Sequence, residues 1–213
     1  AYDGVCYCNL AIVQAEKTPF ASDEERKQKV AEAYFMRAVY YYNMVEQLGG
    51  VKLQMAPVDN VDIHPGKDSP MDIYEKCIIP DLEFAAQWLQ VEDRTTRPSK
   101  KSAMGMLARA CLQSVEYDSS KKYVQRALEV AQEMINDCKA GGAALGVYMY
   151  DNVEDVFDEN NNFENKEALW KHRYVAGGVS NQAWIMNQNN EQFYCPLTAF
   201  SAFQFKTDLH SGN

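Results

Sequence analysis

The chain has 213 residues, 46% of them hydrophobic and 24% charged, the composition of an ordinary folded protein long enough to bury a core. Acidic residues outnumber basic ones by 30 to 21, giving a net charge of −9, and the basic residues gather only in short pairs such as Lys100-Lys101, which argues against nucleic acid as a partner. No run approaches the roughly 20 apolar residues of a membrane-spanning helix, and the opening AYDGVCYCNL lacks the basic-then-apolar layout of a signal peptide.

Residues 1–17 form the first predicted helix, with Val5, Asn9 and Ile12 on one face. The second, over 24–48, is apolar nearly all round. Laid out at about 100° per residue, Val30, Tyr34, Ala38, Tyr41, Val45 and Leu48 form one stripe, and Ala33, Met36, Tyr40 and Met44 form another beside it. Phe35, Val39 and Tyr42 occupy the remaining side, leaving a narrow polar strip of Glu32, Asn43 and Glu46. A helix so widely apolar is expected to have several neighbours. Arg37 lies within the apolar arc, where an unpaired charge costs several kcal/mol. It therefore needs a carboxylate or carbonyl partner on a neighbouring helix, and Asp81 is one candidate; a ligand clamp is the alternative role. Gly49 or Gly50 supplies the left-handed stop, after which Val51-Lys52-Leu53 runs extended.

Ser69-Pro70 reads as a cap and first-turn proline for a helix whose Tyr74, Ile78, Leu82, Ala85 and Leu89 keep the helical period, with a kink expected at Pro80. Beyond the linker EDRTTRPS, Met104, Leu107, Ala108, Cys111 and Val115 form another stripe, YDSS a turn, and Val124, Ala127, Leu128, Ala131 and Ile135 the next stripe, ended by Gly141-Gly142. The pair over 101–137 resembles a degenerate tetratricopeptide repeat, with small residues where two helix backbones must approach. The helices at 24–48 and 71–89 make a second pair, separated by an insertion carrying Pro57, Pro65 and Gly66. After residue 142 the character changes: DNVEDVFDENNNFENKE is acidic and Asn-rich, ALWKHRYV reads as a short strand, and 176–213 is loop-like. The expected fold is thus mainly α, a tetratricopeptide-like helical-pair scaffold over 1–142 with an irregular, loop-rich portion over 143–213 that faces ligand or partner.

Few residues carry an argument for catalysis. The six cysteines have no CxxC spacing, and Cys77, Cys111 and Cys138 fall on apolar stripes, so mostly free, buried thiols are expected, with disulfides as the alternative. His64 lies near Asp59, Asp62 and Asp68 in a segment that reads as a solvated loop. His172 and His210 have no companion nucleophile in a recognisable motif, and GxSxG, HExxH and Gly-rich phosphate loops are missing. Asp158, Asn160 and Asn162 echo a calcium loop, but Phe163 stands where glycine is needed and Leu169 where a bidentate glutamate belongs. No cofactor is expected; a looser calcium site is the one metal alternative.

The stretch AEAYFMRAVYYYNMVEQLGGVKL resembles the signature helix of the SusD/RagB-like outer-membrane nutrient-binding lipoproteins, through Met36-Arg37-Ala38 and the exit Leu48-Gly49-Gly50-Val51-Lys52-Leu53, where Lys52 replaces the common proline. Further resemblances follow in family order: Tyr2, Val5 and Asn9; Ile78, Asp81, Leu82 and Ala85; Leu107, Ala108, Arg109 and Leu112; and the strand-like NKEALWKHRYV. The resemblance implies a tetratricopeptide-like scaffold and a non-enzymatic protein on the surface of Bacteroidetes-type bacteria. Such a protein is lipid-anchored to the outer membrane, binds a glycan or a peptide, and delivers it to a SusC-like TonB-dependent transporter. Family chains are much longer and start with a lipobox cysteine, whereas Cys6 and Cys8 lie within a helix, so a fragment or incomplete chain is expected.

Sugars present apolar faces and hydrogen-bonding rims, so aromatics flanked by amides suit them. Trp184, Phe193 and Tyr194, with Asn181, Gln188 and Asn190, fit that description, against loop packing or transporter contact as alternatives; Trp88 and Trp170 read as core. The competing functional class is an intracellular helical-repeat adaptor that binds peptides, motivated by the pair at 101–137.

Overall fold

A computed structural model describes residues 2–58, 64–91, 97–158 and 165–171. Its α-helices are α1 (Tyr2–Lys17), α2 (Asp23–Leu48), α3 (Pro70–Ile73), α4 (Ile79–Trp88), α5 (Lys100–Gln113), α6 (Val124–Lys139) and α7 (Val153–Phe157). The long ones form a serial array in which α2 packs on α1 and α4, α4 on α5, and α5 on α6. This is the mainly α, helical-pair scaffold that the periodicities indicate.

Local chemistry sets the helix boundaries. The Ser22 side chain accepts the Glu25 amide, Ser69 accepts that of Asp72 with Pro70 in the first turn, and Ser99 and Ser102 cap α5 reciprocally. Gly49 ends α2 at φ 72°, its N–H bonded to the Val45 carbonyl. At Gly50 a β-carbon would sit 2.6 Å from the Asp68 carbonyl oxygen, so the exit from α2 tolerates no side chain there. Pro80 has no N–H to continue the helical ladder, and a π turn over Tyr74–Ile78 precedes it, closed by the Ile79 N–H reaching back to the Tyr74 carbonyl.

The core runs along the whole array. Phe35, Ala38, Tyr41 and Val45 of α2 are fully buried, and so are Ile78, Leu82 and Ala85 on one side and Leu107, Ala110 and Cys111 beyond. Two rows differ from expectation. On α2, Phe35, Val39 and Tyr42 are buried while Met36 and Tyr40 are only half-buried, and Leu48 is 67% exposed because the last turn, Glu46 to Leu48, projects into solvent. On α6 the buried row is Ala127, Val130, Met134 and Asp137, while Val124, Leu128 and Ile135 are exposed. Both helices have apolar arcs wider than any one neighbour covers, and periodicity alone does not say which part of such an arc meets the neighbour.

No strand occurs among the described residues. Ala168–Lys171, half of the expected strand, has no ladder; side chains hold it instead. Ser102 Oγ donates to the Leu169 carbonyl at 2.5 Å, Lys101 Nζ donates to the Lys166 carbonyl at 3.3 Å, and Trp170 sits edge-on to Phe35 with ring centroids 5.3 Å apart. The other half, His172 to Val175, lies outside the described residues.

The burial pattern predicts that Phe35→Ala costs about 3–5 kcal/mol in denaturant unfolding while Leu48→Ala costs less than about 0.5 kcal/mol. Equal losses at the two positions would contradict the orientation of α2.

Candidate functional site

Three helices and one extended segment meet at Arg37. Its Nε and Nη2 donate to the two oxygens of Asp81 at 2.7 and 2.9 Å, and Nη1 donates to Asn9 Oδ1 at 2.8 Å. All three side chains are at least 96% buried by residue accessibility, Arg37 and Asp81 at 3% exposed and Asn9 at 1%. The fork-to-fork geometry is that of a guanidinium on an ionised carboxylate. Burial pushes the Asp81 carboxyl up from its ordinary value and the Arg37 guanidinium pulls it back down. Cys77, in the π turn, points its sulfur at Asp81 Oδ2 from 3.4 Å.

The same residues grip the chain as it leaves α2. Asn9 Nδ2 donates to the carbonyls of Gln54 and Ala56 at 2.9 and 3.2 Å, and Arg37 Nη1 reaches the Met55 carbonyl at 3.5 Å. Tyr2 Oη donates to the Lys52 carbonyl at 2.7 Å, while the Gln54 amide donates to Tyr41 Oη at 2.6 Å. Asp68 accepts the Leu53 amide at 2.7 Å. An extended segment with no partner strand thereby satisfies its backbone through side chains, as buried polar backbone must. Nothing in this cluster is a poised nucleophile: burial raises the Cys77 thiol well above its ordinary value and the Cys8 thiol to about 11, so both stay protonated at neutral pH.

A second feature is a groove of about 630 Å³ with α5 as its floor and α4 and α6 as walls. Lys100, Met104 and Leu107 line the floor, Glu83, Phe84 and Gln87 one wall, and Arg126, Val130 and Glu133 the other. Arg126 spans the groove to Glu83 with bonds of 2.6 and 2.7 Å. The sequence alone gives little sign of this groove, because the residues that join its walls, such as Glu83 and Arg126, are far apart in the chain. Arg109, which the sequence marks only through its place in the family resemblance, donates its Nε to Tyr42 Oη at 3.0 Å beside the Tyr42–Tyr74 ring contact.

The remaining candidates divide by position. Trp184, Phe193, Tyr194, Asn181, Gln188 and Asn190 all lie outside the described residues, as do His172, His210 and Cys195. His64 is exposed and Asp68 serves the exit segment, with Asp59 and Asp62 outside the described residues. Among the described residues no cluster of three His, Cys, Asp or Glu side chains is placed to hold a metal. Of the calcium-like positions, Asp158 is exposed, and Asn160 and Asn162 are outside the described residues. Trp88 is half-buried with Lys27 Nζ 4.5 Å from its ring centroid. Cys6, Cys8, Cys77, Cys111 and Cys138 are free thiols. No described helix is long and apolar enough to cross a membrane.

Comparison with known proteins gives a consistent result. A family model, SusD-like, described as starch-binding and associating with the outer membrane, matches residues 1–112. SusD-like protein P2 of Formosa agariphila is 29% identical over 188 residues, 86% of this chain and 34% of its own length. A SusD-like protein of Bacteroides ovatus is 28% identical over 217 aligned positions, covering 99% of this chain and 36% of its own. The chain therefore spans about a third of the length of the curated relatives it matches. A crystal structure solved with a xylogluco-oligosaccharide superposes with a TM-score of 0.65 at 27% identity, covering 83% of this chain and 35% of that one.

If the Arg37–Asp81 pair organises the scaffold, Arg37→Met alone destabilises by about 3–5 kcal/mol because it strands a buried carboxylate, and adding Asp81→Leu recovers most of that loss. A double variant as unstable as the single one, measured by denaturant unfolding, would contradict that role.

Proposed function

Since the chain belongs to the SusD-like family, we propose that the protein it comes from is a cell-surface glycan-binding protein rather than an enzyme. The observation that carries this reading is the 27% identical relative whose structure holds a xylogluco-oligosaccharide. In the same proposal the protein is lipid-anchored at the outer membrane and hands its ligand to a SusC-like TonB-dependent transporter. The family description, starch-binding and associating with the outer membrane, supports both the ligand class and the place. The competing adaptor reading draws its support from the α5–α6 pair alone.

Within this reading the helices are scaffold and the ligand-facing part is 143–213. The buried Arg37 and Asp81 are paired with each other, the buried Lys101 and Asp137 bond backbone groups, and the hydroxyls of Tyr41 and Tyr42 are spent on Gln54, Lys52 and Arg109. In this proposal Trp184, Phe193 and Tyr194 stack on a sugar face, with Asn181, Gln188 and Asn190 to bond its rim. Shallow glycan sites depend on a few such contacts, so truncating one platform has a large effect.

Isothermal calorimetry of the full-length protein against xyloglucan and starch oligosaccharides tests this directly. Binding is expected, with Trp184→Ala weakening it by at least about tenfold, some 1.4 kcal/mol. A panel on which no glycan binds would contradict the function, and unchanged affinity in Trp184→Ala would contradict the site.

A further inference from the structure

The groove between α4 and α6 plays no role in the function proposed above, and what it shows to water is unlike a peptide cleft. Its floor is closed: Met104, Leu107 and Val130 are 4%, 0% and 1% exposed. No hole is left for the large apolar anchor by which peptide ligands are held. The walls are helices whose backbone groups bond within the helix, so they offer no edge to an extended main chain either.

The opening is rimmed by hydrogen-bonding side chains. Gln87 and Glu133 are exposed on opposite walls, and Lys100 is half-buried at the floor. Their side chains have no hydrogen-bond or ion-pair partner among the described residues. Arg126, by contrast, is tied across the groove to Glu83, which fixes the spacing of the two walls. Phe84 lines the groove half-buried, packed on Tyr34 at a centroid distance of 4.5 Å and on Trp88 at 6.4 Å.

Two carboxylates and two cations line the groove, so it carries no net charge and favours a neutral ligand over an ionic one. From Lys100 to Leu107 the floor runs about 10 Å along α5, the length of a disaccharide. Pyranose rings pair an apolar C–H face with a rim of hydroxyls that both donate and accept, which matches one aromatic ring beside an amide, an ammonium and a carboxylate. An apolar ligand would instead strip water from all three polar groups without replacing it.

We propose that this groove is a second saccharide site, additional to the loop residues, which takes a neutral disaccharide unit with one ring against Phe84 and its hydroxyls on Gln87, Lys100 and Glu133. The ligand class rests on the glycan-binding reading, whereas the site rests on the groove alone. With one aromatic and no deep pocket the site is weak, in the millimolar range. That suits a segment of a longer glycan already held elsewhere on the protein, for which the second contact is intramolecular.

Methyl NMR of the full-length protein with isotopically labelled methionines tests this, because Met104 lies in the groove floor and its peak is identified by its loss in Met104→Leu. The peak is expected to move saturably on titration with xyloglucan or starch oligosaccharides, and to do so equally in Trp184→Ala. In the double variant Gln87→Ala/Glu133→Ala, which removes two exposed hydrogen-bonding groups, the affinity read at this peak falls at least about fivefold. Calorimetric glycan binding with an unmoved Met104 peak would overturn the site and leave the functional reading intact, whereas no binding by either method would overturn both. A peak that moves only while Trp184 is present, that ignores the double variant, or that moves as far with a neutral peptide of serine and alanine would overturn the site equally.

Discussion

A guanidinium placed at the centre of an apolar helix has to be neutralised within the fold, and much of this architecture follows from how Arg37 achieves that. Its fork fixes the side-to-side register of α2 and α4 through Asp81, and its third donor fixes Asn9 of α1. Asn9, oriented by accepting from Arg37, has its amide N–H groups free to hold the carbonyls of Gln54 and Ala56. One ion pair thus sets three helices and directs the segment that leaves α2. Such a pair adds little net stability compared with a well-packed apolar cluster, but it penalises wrong registers heavily because every misplacement strands a buried charge. Its value to the fold is therefore specificity of arrangement.

Much of this was legible in the sequence, for reasons that differ by element. The width of the apolar arc on α2 announces a helix with several neighbours, and Arg37 inside that arc demands a partner. Ser69-Pro70 and Gly49 mark boundaries through chemistry that acts within a few residues. Leu48 and the α6 row differ from expectation because the helical period gives the direction of an apolar stripe without saying where a neighbour ends. The groove between α4 and α6 and the docking of Leu169 and Trp170 depend on contacts 60 or more residues apart in part, such as Ser102 with Leu169, and leave no local pattern. In the described half of the strand expected over 168–175, residues 168–171 have no ladder, because an apolar, aromatic run fits side-chain docking on helices as well as it fits a ladder.

The division of labour in the molecule is also physical. The tyrosine-rich helix carries the family resemblance, yet its Tyr41 and Tyr42, like Tyr74 of the π turn, use their rings for packing and their hydroxyls for Gln54, Arg109 and Glu46. A side chain committed in this way is poorly placed to stack on a sugar. The residues that carry the family resemblance are consequently ones that build the scaffold.

Side chains from α1 and α2, together with Asp68, hold Lys52 to Ala56 as firmly as a sheet would. Native-state hydrogen exchange at the Leu53 and Gln54 amides measures this most directly, since both donate to side chains, Asp68 and Tyr41. Exchange only through global unfolding is predicted for both, with loss of that protection in Asn9→Ala. Exchange near the rate of an unstructured peptide in the unaltered protein would contradict the account.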